Sequence, residues 1–240
     1  MSDSGLESDR AAELRDCLRA LRGRIAAACA SAGRDSGEVT LIAVTKTFPA
    51  SDIGLLSALG VTDIGENRDQ EAAPKAAQCA GAGLSLRWHF VGQLQVNKCA
   101  SVVSYADVVH SVDRMRLIRA LGSHARAAGR VVTCLVQVSL DAVPGRGGAL
   151  PADVPALAES VAAQDGLVLG GVMAVAPLHA PPAPAFRSLR EIAELVRLQH
   201  PGALMISAGM SGDLDEAIAE GATHVRVGTA LLGGRPAFVR

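Results

Sequence analysis

The chain has 240 residues, with 23 Lys+Arg against 24 Asp+Glu and a formal net charge of −1. That balance leaves no electrostatic footprint for nucleic acid or an anionic membrane. Apolar residues make up 49% of the sequence, enough to exclude disorder as the main state, while aromatic residues make up 2%, too few for a base-stacking platform.

Cys17, Cys29, Cys79, Cys99 and Cys134 are scattered, with no C-x-x-C pair and no histidine at ligand spacing, so no metal is expected. They read as thiols in a reducing compartment. The first ten residues are polar and mixed in charge, unlike a signal peptide. The longest nearly apolar stretch, Gly166 to Pro177, is shorter than the ~20 residues of a membrane span. The expectation is a soluble cytoplasmic protein with neither a membrane nor a nucleic-acid partner.

Leu14, Leu18, Leu21 and Ile25 recur at helical spacing and predict an opening amphipathic helix that runs towards Gly33. Residues 39–45 read as a buried strand of aliphatic and β-branched residues. Further strands are predicted over 63–65, 88–92, 108–111, 133–138, 168–175, 204–207 and 224–228, with helical stretches such as 67–79, 113–128, 153–163 and 184–198 between them. Eight β-α alternations in a chain of this length predict a single (β/α)8 TIM-like barrel, with an open doubly wound sheet as the alternative. Residues 1–35 would be a helical segment packed on a barrel of residues 36–240, the whole forming one structural domain. The Pro/Gly-rich stretches at 141–148 and 176–184 read as loops on the barrel's functional face.

Barrel chemistry is built at the carboxyl ends of the strands, so the residues at those ends are the candidates. The first ends in Thr45-Lys46-Thr47 and the second in Gly65-Glu66-Asn67; the third contains His89 and reaches Gly92-Gln93. The seventh runs into Ser207-Ala-Gly-Met-Ser-Gly-Asp213 and the eighth into Arg226-Val-Gly-Thr-Ala230. Small residues before a helix start at Asp213, together with Gly228-Thr229, suit a phosphate held by backbone N–H groups and hydroxyls. Lys46 leaves an apolar strand, where desolvation would lower its pKa and favour an imine with an aldehyde. Arg226 shares a side with Gly228 by the period of two. A ligand carrying both a phosphate and an aldehyde, such as pyridoxal 5′-phosphate, fits this set.

Each feature has a plainer alternative. The seventh and eighth loops could be a Ser N-cap and a Gly turn with no ligand. Lys46 could be solvated and paired with Glu66, and Arg226 could bridge two strands. His89 reads either as a core histidine bonded to neighbouring strands or as a base.

With these motifs the chain resembles the YggS/PROSC-type pyridoxal phosphate-binding proteins, also called PLP homeostasis proteins. The resemblance rests on Leu41-Ile-Ala-Val-Thr-Lys46, Ile64-Gly-Glu-Asn67, Trp88-His-Phe-Val-Gly-Gln-Leu-Gln-Val-Asn-Lys98, Gly171-Val-Met173, Gly209-Met-Ser211 with Asp213, and Val225-Arg-Val-Gly-Thr229. It implies a barrel similar to the N-terminal domain of alanine racemase. Carried over, Lys46 would form the Schiff base, Arg226 would face the pyridine nitrogen, and Met210, Ser211, Gly228 and Thr229 would line the phosphate. Asn67 and His89 would stand near the ring. Arg68, Ala208 and Arg146 depart from the family's usual pattern.

The resemblance further implies a protein that buffers or delivers vitamin B6, in transient contact with pyridoxal-phosphate-dependent apo-enzymes, without robust catalysis of its own; the absence of an obvious large apolar exposed stripe points to a monomer. An amino-acid racemase is the alternative function. It would need a second base, which in the racemase-like barrels comes from a further domain; Tyr105 precedes the fourth strand and lies towards the amino-terminal face. A sugar-phosphate aldolase or isomerase using Lys46 directly would need Glu66 or His89 as its acid or base.

Overall fold

The computed structural model describes residues 3–141 and 147–234. Helix α1 (Asp3–Ser31) precedes an alternation of β1 (Thr40–Val44), α2 (Ala50–Ala58), β2 (Asp63–Glu66), α3 (Asp69–Gly81), β3 (Arg87–Phe90), α4 (Cys99–Tyr105), β4 (Val108–Val112) and α5 (Met115–Ala127). The second half follows with β5 (Val132–Gln137), α6 (Val154–Ala162), β6 (Leu167–Met173), α7 (Pro182–Gln199), β7 (Met205–Ser207), α8 (Leu214–Ala219), β8 (His224–Val227) and α9 (Thr229–Leu232). The strands pair in parallel in chain order and β8 returns to β1, closing a (β/α)8 barrel as the alternation predicts and setting aside the open sheet. Each predicted strand has its counterpart within a residue or two. The sequence pattern does not single out the short helices α2 and α4.

Alternation along each strand sets the packing. Trp88 and Phe90 of β3, and Val225 and Val227 of β8, point outward into the apolar layers beneath the helices. The stripe of α1 (Leu14, Leu18, Leu21, Ile25) is buried in the same layer as Leu214, Ile218 and Leu231, so α1 packs across α8 and α9. Burial of each such side chain is worth about 1.5–3 kcal/mol. Where strands approach too closely for a side chain, glycine stands. Gly171 has φ 143°, and a Cβ there would lie 2.0 Å from the Met205 carbonyl oxygen.

The barrel's inside is divided. Val108, Leu135 and Met173 of β4, β5 and β6 form a small apolar cluster. On the other side lie His89, His110, Ser207, His224 and Arg226, all buried. Among the described residues no helix is long and apolar enough to cross a membrane, and no three His, Cys, Asp or Glu side chains converge as a metal site. All five cysteines are free, four of them buried.

Candidate functional site

At the carboxyl ends of β1, β2, β3, β6, β7 and β8 a cavity of about 390 Å³ opens. Lys46, Asn67, Met210, Ser211, Arg226, Gly228 and Thr229 all line it. The sequence therefore identified seven residues, from four separated segments, that the barrel brings together. Thr47, Phe48, Val91, Gly92 and Val175 line it too. Thr47 and Gly92 are strand ends in the sequence but not predicted site residues, and Phe48, Val91 and Val175 were missed because they are apolar, although they lie within a few residues of a strand end.

Lys46 leaves β1 half-buried and, among the described residues, has no carboxylate within ion-pair distance. The alternative that pairs it with Glu66 is not what the structure shows. Glu66 is fully buried, and its Oε1 accepts from Thr45 Oγ1 and from Lys75 Nζ, both at 2.7 Å. Burial pushes the Glu66 carboxyl above the usual range, and the Lys75 and Thr45 bonds offset this only in part. The lysine loop is also fastened through its backbone: Lys75 Nζ donates to the Thr45 carbonyl at 2.8 Å, and the Thr47 N–H donates to Glu71 Oε2 at 3.1 Å. Thr47 itself has φ 69°, the one non-glycine residue in the left-handed region among those described.

The close approach of two loops explains part of the Trp88–Lys98 motif. A Cβ at Gly92 would lie 2.1 Å from the Asn67 carbonyl oxygen, so only glycine lets the end of β3 rest against the end of β2. Opposite, Ser211 Oγ accepts from the Ala230 N–H at 3.3 Å, tying the β7 and β8 loops together, and Asp213 Oδ1 accepts from the Met210 N–H at 2.6 Å within the β7 loop. Among the described residues the backbone N–H groups of Ser211 and Gly212 and the Thr229 hydroxyl have no protein partner, which leaves donors at one end of the cavity.

Arg226 is buried, donating from Nη1 to Ser207 Oγ at 2.6 Å and from Nη2 to the Ala174 carbonyl at 2.9 Å. It bridges strands, as one reading held, and lines the cavity, as the other did. Burial lowers its pKa to about 10, against the opposing pull of Asp213.

His89 requires a correction as a cavity residue. It lies deeper in the barrel, its Nε2 2.9 Å from Asp63 Oδ1 and its Nδ1 2.9 Å from His110 Nε2, and does not line the cavity. The cause is its place on β3: Val91 and Gly92, beyond the strand, reach the cavity, whereas His89 lies two and three residues short of them. Tyr105, at the end of α4, packs edge-on against Trp88 with ring centroids 6.2 Å apart, outside the cavity. Of the departures, Ala208 is buried in the apolar layer and Arg68 is exposed, 3.6 Å from Glu71, while Arg146 lies outside the described residues. A second cavity, of about 460 Å³, opens beneath α1 on the opposite face and contains none of the predicted site residues.

The chain matches a known class of barrel: the family model described as alanine racemase, N-terminal domain, matches residues 17–236. A pyridoxal phosphate homeostasis protein of Mycobacterium tuberculosis is 42% identical over 251 residues, covering 98% of this chain and 97% of that protein. The protein of the same name from Escherichia coli is 35% identical over 222 residues, covering 91% and 95%. The structure of PipY of Synechococcus elongatus with PLP bound superposes with a TM-score of 0.80 at 34% identity, covering 92% of this chain and 100% of that one. This chain belongs to the pyridoxal phosphate homeostasis protein family.

Proposed function

We propose that the cavity binds pyridoxal 5′-phosphate through a Schiff base with Lys46, and that the protein buffers or delivers this cofactor in the cytoplasm rather than turning over a substrate of its own. The observation that carries this reading is the opposition, across one cavity, of a lysine without a carboxylate partner and a loop pair with free donors. The residues fit the group. Thr47 Oγ1 and Asn67 Oδ1 are buried polar atoms with no partner among the described residues, both in residues that line the cavity, and would meet polar substituents of the ring. Met210, Ser211, Gly228 and Thr229 would take the phosphate, and Arg226 would face the pyridine nitrogen.

When bound, the cofactor supplies an aldehyde and an electron sink. Arg226 offers only donors, so it does not stabilise a pyridinium as a carboxylate would, and the sink is weakened. Among the described residues lining the cavity, Lys46 and Arg226 are the only ionisable side chains, and no carboxylate, histidine, cysteine or tyrosine joins them. A racemase needs a second base on the far face of its substrate. Glu66 and His89, the candidates for aldolase or isomerase chemistry, both lie outside the cavity. Five free thiols suit a reducing cytoplasm. Met210 and Leu178, 37% and 80% exposed at the carboxyl-end face, offer an apolar rim for brief contact of a monomer with apo-enzymes.

The test is borohydride reduction of the cofactor-loaded protein followed by peptide sequencing. The pyridoxyl group is expected on Lys46, and its appearance on Lys75 or Lys98 would overturn the assignment. Incubation with L-amino acids in deuterated water separates carrier from racemase: α-hydrogen exchange at roughly 1 per second or faster selects the racemase.

A further inference from the structure

The polar side chains inside the barrel form one continuous line. Arg226 Nη1 donates to Ser207 Oγ at 2.6 Å, Ser207 Oγ lies 2.9 Å from His110 Nδ1, His110 Nε2 lies 2.9 Å from His89 Nδ1, and His89 Nε2 lies 2.9 Å from Asp63 Oδ1. The bond from β4 to β7 joins strands that are not neighbours, so the line crosses the barrel's interior. It begins at the cofactor cavity and ends at Asp63, the first residue of β2, which lines the cavity beneath α1.

The two ends fix the direction of every bond. A guanidinium can only donate and an ionised carboxylate can only accept. Asp63 is held below the usual carboxylate range: burial raises it, but the His89 and Thr62 bonds more than offset that. His89 Nε2 must therefore carry a hydrogen, which leaves Nδ1 of the neutral ring as an acceptor. His110 Nε2 must then donate, its Nδ1 must accept, and the Ser207 hydroxyl must donate to it while accepting from Arg226.

Burial keeps the rings neutral. It lowers His89, and it lowers His110 far further, with His89, Arg226 and His224 adding like-charge repulsion. The groups facing this line from other elements are His224 on β8, with its ring centroid 6.4 Å from that of His89, Arg87 on β3, Asp107 after α4 and Asp213 after β7. Among the described residues Arg226 has no carboxylate within ion-pair distance, so the ionised end of its own hydrogen-bond line is Asp63.

We propose that Ser207, His110, His89 and Asp63 are positioning residues for Arg226: a one-way hydrogen-bond relay that locks the guanidinium plane at the cofactor cavity and couples its electrostatics to a carboxylate on the opposite face of the barrel. The inference rests on the cofactor site proposed above. Aligned hydrogen bonds polarise one another in a low-dielectric interior, which gives the distant charge a path to the cavity.

Nitrogen NMR of the full chain with labelled histidine, free of cofactor, reads the relay directly. Both His89 and His110 are expected as neutral rings protonated on Nε2 at pH 7, and an Nδ1-protonated or cationic ring at either position overturns the relay. Asp63→Asn keeps an acceptor oxygen but removes the charge. With pyridoxal phosphate bound, it is expected to move the pH midpoint of the visible absorbance downward, because losing an anion disfavours a protonated imine. Ser207→Ala is expected to bind pyridoxal phosphate about tenfold more weakly, with Ser207→Thr restoring affinity. Unchanged absorbance in Asp63→Asn together with wild-type affinity in Ser207→Ala would reduce the line to core packing and overturn the inference. Failure of the unmodified protein to bind the cofactor at all would instead overturn the proposed function, and the relay's role with it.

Discussion

The outward and inward faces of the same strands solve burial in opposite ways. Outward, Phe90 and Trp88 lie against Val102, Leu117, Ala76 and Cys79 in apolar layers that need only complementary shape. Inward, His89 stands between those two residues in sequence and is bound to Asp63 and His110. A buried polar group without a partner costs about 1–3 kcal/mol, so an interior of this kind persists only when its members satisfy one another. The outer layer holds the barrel closed. The inner line costs desolvation and gives the cavity a fixed guanidinium.

Acid should separate the two faces most strongly, because the apolar layers carry no groups that titrate in acid; burial pushes their cysteine thiols up instead. Burial lowers His224 to about 4, from an ordinary value of 6.5, and lowers His89 and His110 as well. The unfolded chain therefore binds more protons than the folded one below pH 6.5, and stability must fall as pH drops from there towards 4. For His224 alone, a shift of that size is worth about 3 kcal/mol once pH 4 is reached. Glu66 works the other way, since its carboxyl is raised and the folded state gains protons first. Denaturant midpoints measured from pH 7 to pH 4 should fall, and the fall should be shallower in His224→Gln. A flat profile would mean that the inner histidines are not buried as neutral rings.

The cavity sharpens the contrast, since its two ends should discriminate between parts of one ligand. Thr229→Val removes an exposed hydroxyl at the loop pair and leaves the lysine end untouched. Loss of a charge-assisted hydrogen bond costs about 1.5–3 kcal/mol, or roughly ten- to a hundredfold in affinity. Titration should show that weakening for pyridoxal phosphate and little of it for unphosphorylated pyridoxal. Equal loss for both would move the phosphate away from Thr229.

The outward layers and the cavity were legible in the sequence, and the inner line was not. Runs such as Leu41-Ile-Ala-Val44 announce strands, and a polar residue at each strand end is exposed to a simple rule about where barrels keep their chemistry. Arg226 could be placed because Gly228 is two residues away on the same strand. His89 stands as the core histidine bonded to neighbouring strands that one reading gave, but its partners Asp63 and His110 could not be named, because they lie 26 and 21 residues distant and are chosen by register across the barrel. Ser207 was visible as a strand end, yet nothing local shows that it faces a histidine on β4. Glu66 was read against Lys46 for want of knowing which face of α3 turns inward; Lys75 is on that face and takes the carboxylate.

The smallest effect expected is at Thr47, where the cavity and the stability of the fold pull apart. A β-branched residue at φ 69° lies in the left-handed region, which costs an L residue of this kind about 1–2 kcal/mol. The conformation is retained because Glu71 accepts the Thr47 N–H and Lys75 donates to the carbonyl of Thr45. It sits directly after Lys46, so the strained turn sets the direction in which that lysine leaves β1. Thr47→Gly removes the steric cost but adds unfolded-chain entropy worth about 0.5–1 kcal/mol, so the net gain is modest. Thr47→Ala removes the hydroxyl while keeping most of the strain, and is the proper reference. The glycine variant should be about 1 kcal/mol more stable than the alanine variant in chemical denaturation. Both should bind pyridoxal phosphate more weakly than the parent, because both lack the buried Oγ1 that has no protein partner. If alanine proves the more stable of the two, the turn is unstrained in solution, and the aim of Lys46 must come from Glu71 and Lys75 alone.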